Sequence, residues 1–481
     1  MKQLLFLLLI WAGVSSCSGR APGLPAGALA LPAVADTGQI KGYLEQQGPQ
    51  VLNFPHLIQS LYEENDFKYV WATSGRQEQL RQALMTLDCV IQFGLTPEKY
   101  HREALTSDRT KFLSSETLGA NSLAKAEADV LLTDAILTFM FHLRYGKINP
   151  RISPQNVDRA DFTGFRVDSV FKSAIQTENF REQILSVQPQ TRKYKLLQDY
   201  QRLLTTQYAG DCYEISGDTV RLIALNLERY RWEHTDDSNY VEINIPSFYL
   251  RYVNGQQEQR FKVIVGKPAN ATPTLQSRIG YFTTAPDWTV PASIFRKELL
   301  PKALADPGYL SRNGFTIYNL QGEAVPTGRA SLQAMQQAPQ NYVARQSSGC
   351  DNALGQVVFN FQNPYSVYLH DTPTRSLFNQ SNRALSHGCI RVEHPDKLAA
   401  LFLNADGATP ATRARVARSM TSYTRNRYTL RKPVPIIIRY LTCEIENGIL
   451  VRYPDLYNRD KLLAAQLFKS GKFQIPANSG K

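Results

Sequence analysis

The sequence has no apolar run beyond its first residues that is long enough to span a bilayer. A membrane-spanning helix needs about 20 consecutive apolar residues, and the N-terminal run Leu4–Gly13 is shorter than that. We also find no internal repeat, and the 54 basic residues are scattered rather than grouped as in a nucleic-acid-binding module. The net charge of +12 is therefore interpreted as a mixed, solvated surface with some affinity for anionic polymers. These absences argue against several membrane spans, a repeat architecture and a nucleic-acid partner.

Cysteine is also scarce, and the six cysteines lie far apart in the sequence. Their spacing matches no zinc-site pattern, and we expect neither a metal nor a cofactor. Two of the six, Cys17 and Cys389, carry predictions of their own below. The other four allow three disulfide pairings between which the sequence does not choose, and buried free thiols are the simplest interpretation. They are Cys89, Cys212, Cys350 and Cys443.

The first residues have the composition of an export signal. Lys2 precedes the apolar run, whose length is typical of a signal peptide. The next residues, Val14-Ser15-Ser16-Cys17, resemble a bacterial lipobox, in which small residues precede a cysteine that receives a diacylglyceryl group. We predict a signal peptide with lipobox over 1–17, lipidation of Cys17, and a flexible tether rich in Gly, Ala and Pro over 18–40. The expected product is a membrane-anchored lipoprotein facing the periplasm; cleavage of the signal without lipidation is the alternative.

The 481 residues, 43% apolar and 20% charged, are expected to form two or more soluble domains. Apolar residues first recur at helical spacing, most clearly in Ser122–Tyr145. After a predicted connecting helix at Arg221–Trp232 the period changes to two, as in Val241-Glu242-Ile243-Asn244-Ile245, which predicts strands. The predicted fold class is α+β. We place a mainly helical domain at 41–215, a mainly β domain at 216–445 with a helical capping insertion at 293–345, and a C-terminal extension at 446–481.

One short stretch in the β domain has the parts of a thiol nucleophile. Cys389 follows a histidine and a glycine, and His370 lies upstream in a predicted strand. A thiolate attacks a carbonyl carbon well, but a free cysteine is mostly protonated at neutral pH and needs a base. We therefore predict Cys389 as nucleophile and His370 as its general base; a structural cysteine beside two ordinary histidines is the alternative. The stretch reads Ser386-His387-Gly388-Cys389-Ile390-Arg391.

Neighbouring residues have predicted supporting roles. Tyr368 stands two residues before the predicted base on a strand, so both side chains point to one face. Gly388 allows a sharp backbone turn that brings amide N–H groups towards a developing oxyanion, and Ser386 supports the loop through hydrogen bonds. His387 is expected to position the loop or the substrate. Arg391 either clamps a substrate carboxylate or pairs with a nearby acidic residue.

These residues resemble the signature of L,D-transpeptidase catalytic domains of the YkuD type, which are bacterial cell-wall enzymes. The helical half, with His142-Leu143-Arg144-Tyr145-Gly146, is similar to the scaffold domain of the large periplasmic branch of that family. Further stretches that resemble this branch are Val263–Pro268, Thr272-Pro273, Trp288–Pro291, Ser293-Ile294, Asp306–Leu310, Asn352–Gly355, Tyr368–Pro373 and Tyr457–Asp460.

The resemblance implies a reaction. Cys389 would attack the bond between meso-diaminopimelate and D-alanine in a peptidoglycan tetrapeptide stem, with His370 as base and acid. The amine of a second stem would resolve the thioester into a 3→3 cross-link, and carbapenems would acylate Cys389. The loop around His387 and Gly388 would shape the pocket and the oxyanion site. Substrate contacts are implied for Tyr368, Trp288 and Arg391.

The sequence departs from this branch in two places. The segment from Tyr200 to Leu227 is too short for the small peptidoglycan-binding module that is common there, so the module is expected to be missing. The loop Ser347–Asp351 differs from the usual proline-containing loop, and Cys350 is predicted to lie near the active site. An L,D-carboxypeptidase or a wall-protein-attaching enzyme with the same acylation step remains an alternative, as does a non-catalytic wall-binding lipoprotein.

Overall fold

The computed structural model describes residues 37–468, except positions 47, 107–109, 111–112, 114–121, 160, 207–216, 234 and 236. The predicted signal peptide with Cys17, most of the predicted tether, and Cys212 lie outside the described residues. Within them, no helix combines the length and the apolar character needed to cross a membrane.

The N-terminal half is helical, as its apolar periodicity predicts. Helix Ser122–Tyr145 lies at its centre, and nearly every side chain from Ala126 onwards is buried. A helix buried on all sides is enclosed by its neighbours, and helices from before and after it in the chain pack against it. The helices of this half are Thr37–Gln46, Gly48–Val51, Pro55–Glu64, Gln77–Asp88, Ser122–Tyr145, Pro154–Asp158, Val167–Ala174, Phe180–Leu185, Arg192–Thr206 and Gly217–Trp232, with 3₁₀ turns at Val90–Phe93 and Pro97–Lys99.

Two buried carboxylates of the central helix hold surrounding loops in place. Asp129 accepts hydrogen bonds from the backbone N–H groups of Val70 and Trp71, each at 2.8 Å. Asp134 accepts one from the backbone N–H of Phe54 at 3.0 Å, at the start of helix Pro55–Glu64. Buried carboxylates need such donors to offset the loss of hydration, so these polar contacts specify where the loops attach.

The C-terminal half is built on strands. They are β1 Asn239–Asn244, β2 Tyr249–Asn254, β3 Gln257–Gly266, β4 Leu275–Thr284, β5 Trp288–Thr289, β6 Phe315–Asn319, β7 Tyr342–Gln346, β8 Val357–Phe361, β9 Leu369–His370, β10 Ala384–Ser386, β11 Ile390–Val392, β12 Asn426–Arg439, β13 Cys443–Glu446 and β14 Ile449–Arg452. The helices are Ala292–Ile294, Leu300–Ala305, Tyr309–Arg312, Arg329–Gln337, Pro395–Ala405, Pro410–Thr421 and Arg459–Leu467, with a π-helical turn at Phe295–Leu299 and 3₁₀ turns at Pro268–Asn270, Pro339–Asn341 and Arg375–Asn379.

Eight of these strands close into a ring. The order is β3-β11-β9-β8-β4-β12-β1-β2, and the β2–β3 hairpin completes the circuit, while β10 adds to one end of β3. The hairpin turns through Gly255, whose φ of +60° lies in the left-handed region that glycine adopts without steric cost. Because successive side chains on a strand alternate in direction, every second residue faces the apolar centre, as do Val241 and Ile243 of β1. This closed sheet and the helical half together give the predicted α+β class.

The capping insertion lies between β4 and β8. It contains the predicted helices and, in addition, a three-stranded sheet in the order β5-β7-β6. The sheet begins at Trp288, so the insertion starts before the predicted residue 293. Strands of two to five residues give too short an alternation to be recognised from periodicity. The insertion has an apolar core of its own, formed by Val290, Phe295, Leu299, Leu300, Ala303, Leu310, Ile317, Leu332, Met335 and Ala344.

The C-terminal segment packs on the connecting helix Gly217–Trp232. The β13–β14 hairpin and helix Arg459–Leu467 both contact this helix, so the predicted boundary at residue 446 falls inside the hairpin. Two buried ion pairs lie nearby: Arg251 of β2 is 2.9 Å from Glu444 of β13, and Arg439 of β12 is 3.0 Å from Glu242 of β1.

Candidate active site

The predicted site residues lie on two neighbouring strands. β9 and β11 run parallel, with Leu369 opposite Ile390 and His370 opposite Arg391. Leu369 and Ile390 face the apolar centre of the ring. Since side chains alternate along a strand, His370 and Arg391 project from the outer face of the ring, side by side.

Tyr368 and Cys389 occupy the preceding register position on the same face. The Ile390 backbone N–H donates to the Tyr368 carbonyl at 3.1 Å, which continues the strand pairing by one residue. The Cys389 thiol lies 3.8 Å from the Ser366 carbonyl. Burial raises the pKa of the Cys389 thiol, while hydrogen bonding by Tyr368 and the charge of Arg391 act in the opposite direction without cancelling the effect. The thiol is therefore neutral at pH 7.

His370 is the buried partner in this group. Its Nδ1 lies 2.6 Å from the Asp371 carbonyl. A carbonyl only accepts, so Nδ1 carries a proton and donates it to this carbonyl. Burial and the nearby charge of Arg391 lower the pKa of His370 to about 3. The ring is 5.6 Å from the Tyr368 ring, centroid to centroid, in an edge-to-face arrangement. A neutral imidazole and a neutral thiol thus share one face, and Tyr368 contacts both.

The loop before Cys389 has a fixed shape. Gly388 has a φ of +117°, a conformation that favours glycine, so its place before Cys389 is a backbone requirement. Ser386 closes the loop: its hydroxyl donates to the Cys389 carbonyl at 2.6 Å and accepts the Gly388 N–H at 3.2 Å. The structure thus brings Ser386 and Gly388 together with Cys389.

The His387 side chain contacts the capping insertion. Its Nε2 lies 2.5 Å from Oε1 of Glu298, which belongs to the π-helical turn Phe295–Leu299. Such π-turns are frequent at functional sites. The contact joins the insertion to the loop before Cys389, a link that no periodic pattern in the sequence indicates.

Arg391 has no acidic partner among the residues that the structure describes. The predicted alternative, an ion pair with a neighbouring Asp or Glu, is not observed, and its buried Nε has no hydrogen-bond acceptor. Burial lowers the pKa of Arg391, but a guanidinium remains charged at pH 7. An unpaired, half-buried cation beside the thiol can receive an anionic group.

A groove of about 570 Å³ leads away from Tyr368 along the outer face of the ring. Trp288 of β5 forms part of its wall, together with two arginines of which one, Arg427, lies over the ring of Tyr281 at 3.6 Å. The groove combines aromatic surface with the charges of Arg427 and of the Arg425–Asp287 pair, and its wall residue Tyr368 contacts the Cys389 thiol. Its volume lies in the range of small-molecule binding sites.

The cysteines predicted to be buried free thiols differ in exposure. Cys89, Cys350 and Cys443 are free, but Cys443 alone of these is buried; Cys89 is half-buried and Cys350 is exposed. The prediction of buried thiols was therefore wrong for Cys350, because it lies at the tip of a surface loop. The same loop reaches the active site, since the backbone of Ala353 hydrogen-bonds to His370.

Comparison with known proteins gives the same division of the chain. Residues 238–431 match the YkuD family, described as the L,D-transpeptidase catalytic domain, and residues 56–200 match the Scaffold domain. A protein of Haemophilus influenzae named "Putative L,D-transpeptidase" is 28% identical over 420 residues, which cover 86% of this chain and 80% of that protein. The chain therefore contains a YkuD L,D-transpeptidase catalytic domain and, before it, a Scaffold domain.

Proposed function

We propose that the protein is a peptidoglycan L,D-transpeptidase that forms 3→3 cross-links through a thioester on Cys389. The observation that supports this most directly is the placement of Cys389, His370, Tyr368 and Arg391 on one outer face of two neighbouring strands. The proposed nucleophile, a neutral base and an unpaired cation lie together there, and Tyr368 also lines a groove of about 570 Å³.

In the first half-reaction the thiol sulfur attacks the carbonyl carbon of the meso-diaminopimelate residue. The carbon–sulfur bond forms, the thiol proton passes to His370, and amide N–H groups of the Ser386–Cys389 loop stabilise the oxyanion. His370 then protonates the amine of D-alanine as its carbon–nitrogen bond breaks. The product is a thioester on Cys389 and free D-alanine.

In the second half-reaction an acceptor amine replaces the sulfur. The side-chain amine of a second stem attacks the thioester carbonyl, its carbon–nitrogen bond forms, and the carbon–sulfur bond breaks. The proton released by the amine returns to the sulfur through His370. We assign to Arg391, which has no acidic partner among the described residues, the binding of a carboxylate of the stem. A carbapenem would acylate Cys389 by the first half-reaction.

The test is product analysis with disaccharide tetrapeptides. Wild-type protein is expected to give a dimer that has lost one D-alanine, detected by mass spectrometry, and Cys389→Ala is expected to give none. Tripeptide alone would indicate an L,D-carboxypeptidase, and transfer to a protein acceptor would indicate wall-protein attachment. Absence of turnover, with no difference between wild type and Cys389→Ala, would contradict the enzymatic proposal.

We also propose that a lipid on Cys17 anchors the protein to a membrane of the cell envelope, facing the periplasm. The support is the lipobox-like Val14-Ser15-Ser16-Cys17 after an apolar run. Cys17→Ala is expected to move the protein from the membrane to the soluble fraction. Unchanged fractionation would contradict lipidation.

A further inference from the structure

A buried threonine far away in the sequence lies beneath the catalytic loop. Thr272 stands between β3 and β4, and its side chain is buried. Its hydroxyl donates to the Gly388 carbonyl at 2.8 Å and accepts the Gly266 N–H at 2.9 Å. A β-carbon on Gly266 would lie 2.1 Å from the Asn270 carbonyl oxygen, so glycine permits the tight turn that presents Thr272.

A tyrosine of the C-terminal segment completes this support. The Tyr457 hydroxyl donates to the Gly266 carbonyl at 2.6 Å and accepts the Thr272 N–H at 3.2 Å. Its ring stacks on Tyr440 with centroids 5.4 Å apart, and its backbone N–H donates to the Tyr440 hydroxyl at 2.7 Å. Tyr457, Gly266, Thr272 and Gly388 thus form one continuous hydrogen-bonded chain.

The same C-terminal motif is fastened to the connecting helix. Asp460 lies 2.5 Å from the guanidinium of Arg229, a residue of helix Gly217–Trp232 that is 4% exposed. The Asp460 backbone N–H also donates to Asp455 at 2.9 Å. Tyr457 is therefore held from both sides, by the sheet and by the helix that leads to the Scaffold domain.

The hydrogen bond to the Gly388 carbonyl has a consequence for the nucleophile. The chain contains no cis peptide bond in its described part, so the Gly388 carbonyl and the Cys389 N–H point in opposite directions. Since the carbonyl points down to Thr272, the Cys389 N–H points away from it. The Gly388 N–H is already bound to Ser386, whereas the Cys389 N–H has no acceptor among the described residues.

We infer that Thr272 and Tyr457 are positioning residues for acylation: their hydroxyls hold the Gly388–Cys389 peptide so that the Cys389 N–H meets the developing oxyanion. The inference rests on the proposed acyl transfer at Cys389. Loss of either hydroxyl leaves the thiol and His370 in place but lets this peptide rotate. The rate of carbonyl attack, in which an oxyanion forms, is therefore expected to fall. The rate of thiol reactions that form no oxyanion is expected to stay the same.

Two reagents separate these effects. A carbapenem acylates the thiol through an oxyanion, whereas iodoacetamide alkylates the thiol by displacement of iodide at a saturated carbon. Both rates are measured on the full chain by intact-mass spectrometry, with peptide mapping to Cys389. Removing one oxyanion donor typically lowers rates about 100- to 1,000-fold, and releasing a donor that remains present is expected to lower acylation by about 10- to 100-fold. The variants are Thr272→Val and Tyr457→Phe, and Thr272→Ser is expected to restore acylation.

Matched controls are available in the same domain. Thr284 is also buried, and its hydroxyl makes the same two kinds of bond as that of Thr272. It donates to the Thr424 carbonyl at 2.9 Å and accepts the Asn426 N–H at 3.2 Å. Tyr453 lies in the same C-terminal segment and bonds to Glu446 at 2.9 Å. Thr284→Val and Tyr453→Phe are expected to leave both rates unchanged.

Slower acylation with unchanged alkylation supports the inference. Equal loss of both rates, loss of alkylation alone, or no loss in either variant overturns it. If Thr272→Val does not fold, the smaller change Tyr457→Phe decides the question alone. Failure of the wild-type protein to be acylated at all would instead contradict the proposed function.

Discussion

The pH dependence of Cys389 reactivity tests the electrostatics of the site directly. Burial raises the pKa of the thiol and lowers that of His370 to about 3, so the resting pair is neutral rather than a thiolate–imidazolium pair. With the thiol pKa above its ordinary value of about 8.5, less than about 3% is thiolate at pH 7. Because the thiolate is the nucleophile, alkylation by iodoacetamide is expected to rise about tenfold per pH unit, or about 100-fold from pH 6 to pH 8.

The assay follows Cys389 alkylation by peptide mapping in a Cys350→Ser background, because the exposed Cys350 would also react. Cys389→Ser in that background gives the baseline. Arg391→Gln provides a second arm: the charge of Arg391 lowers the pKa of the thiol, so its removal is expected to slow alkylation at pH 7. A rate that is constant between pH 5 and pH 8 would refute the neutral pair, since a plateau there indicates a thiolate stabilised by a protonated histidine.

Three further predictions concern the capping insertion and the buried ion pair between Arg251 and Glu444. Glu298→Ala removes the hydrogen bond to His387. Because such a contact contributes about 1 kcal/mol, KM for the tetrapeptide is expected to rise up to about fivefold in steady-state assays. Glu298→Gln is expected to keep part of the contact, and an unchanged KM for Glu298→Ala would show that the contact has no part in substrate binding. Arg251→Met leaves Glu444 buried without its partner and is expected to lower the free energy of unfolding by about 3–5 kcal/mol in urea, whereas Arg278→Met, at an exposed pair, is expected to change it by less than about 1 kcal/mol. Burial raises the pKa of Glu444, but Arg251 lowers it further, so that the pKa in the folded protein lies below the ordinary 4.5. The stabilisation by the Arg251–Glu444 pair is therefore fully present above pH 4.5 and is lost as the pH falls through the lower pKa of the folded state. A urea midpoint that drops as much in Arg251→Met as in wild type over that pH range would contradict this role of the pair.

The sequence predicts the helical half and the strands well where the pattern is local. Helix Ser122–Tyr145 begins and ends where its apolar spacing does, and the hairpin around Asn254 and Gly255 follows from its turn residues. The site residues on β9 and β11 are also close in the sequence, so alternation along the strand places Tyr368 and His370 on one face without knowledge of the whole fold.

What the sequence did not predict are contacts between distant loops. Thr272 bonds to Gly388 across 116 positions, and Tyr457 bonds to Gly266 across 191. Glu298 and His387 are separated by 89 positions. Such contacts depend on how the ring closes and where the insertion lies, and no periodic pattern records them. The only sign of them was that Thr272 and Tyr457 stood in stretches resembling the family, without an assigned role.

The closure of the ring also bears on the order in which the chain folds. β1 pairs with β12, with Val241 opposite Ile436, so the sheet cannot be completed until almost the whole chain is available. Pairings between residues so far apart carry a large loop-closure entropy and are slow to form, whereas helices form from local contacts. We therefore expect the N-terminal helices to reach their native arrangement first in refolding experiments, and the pairing of β12 with β1 to set the rate at which the ring around Cys389 closes.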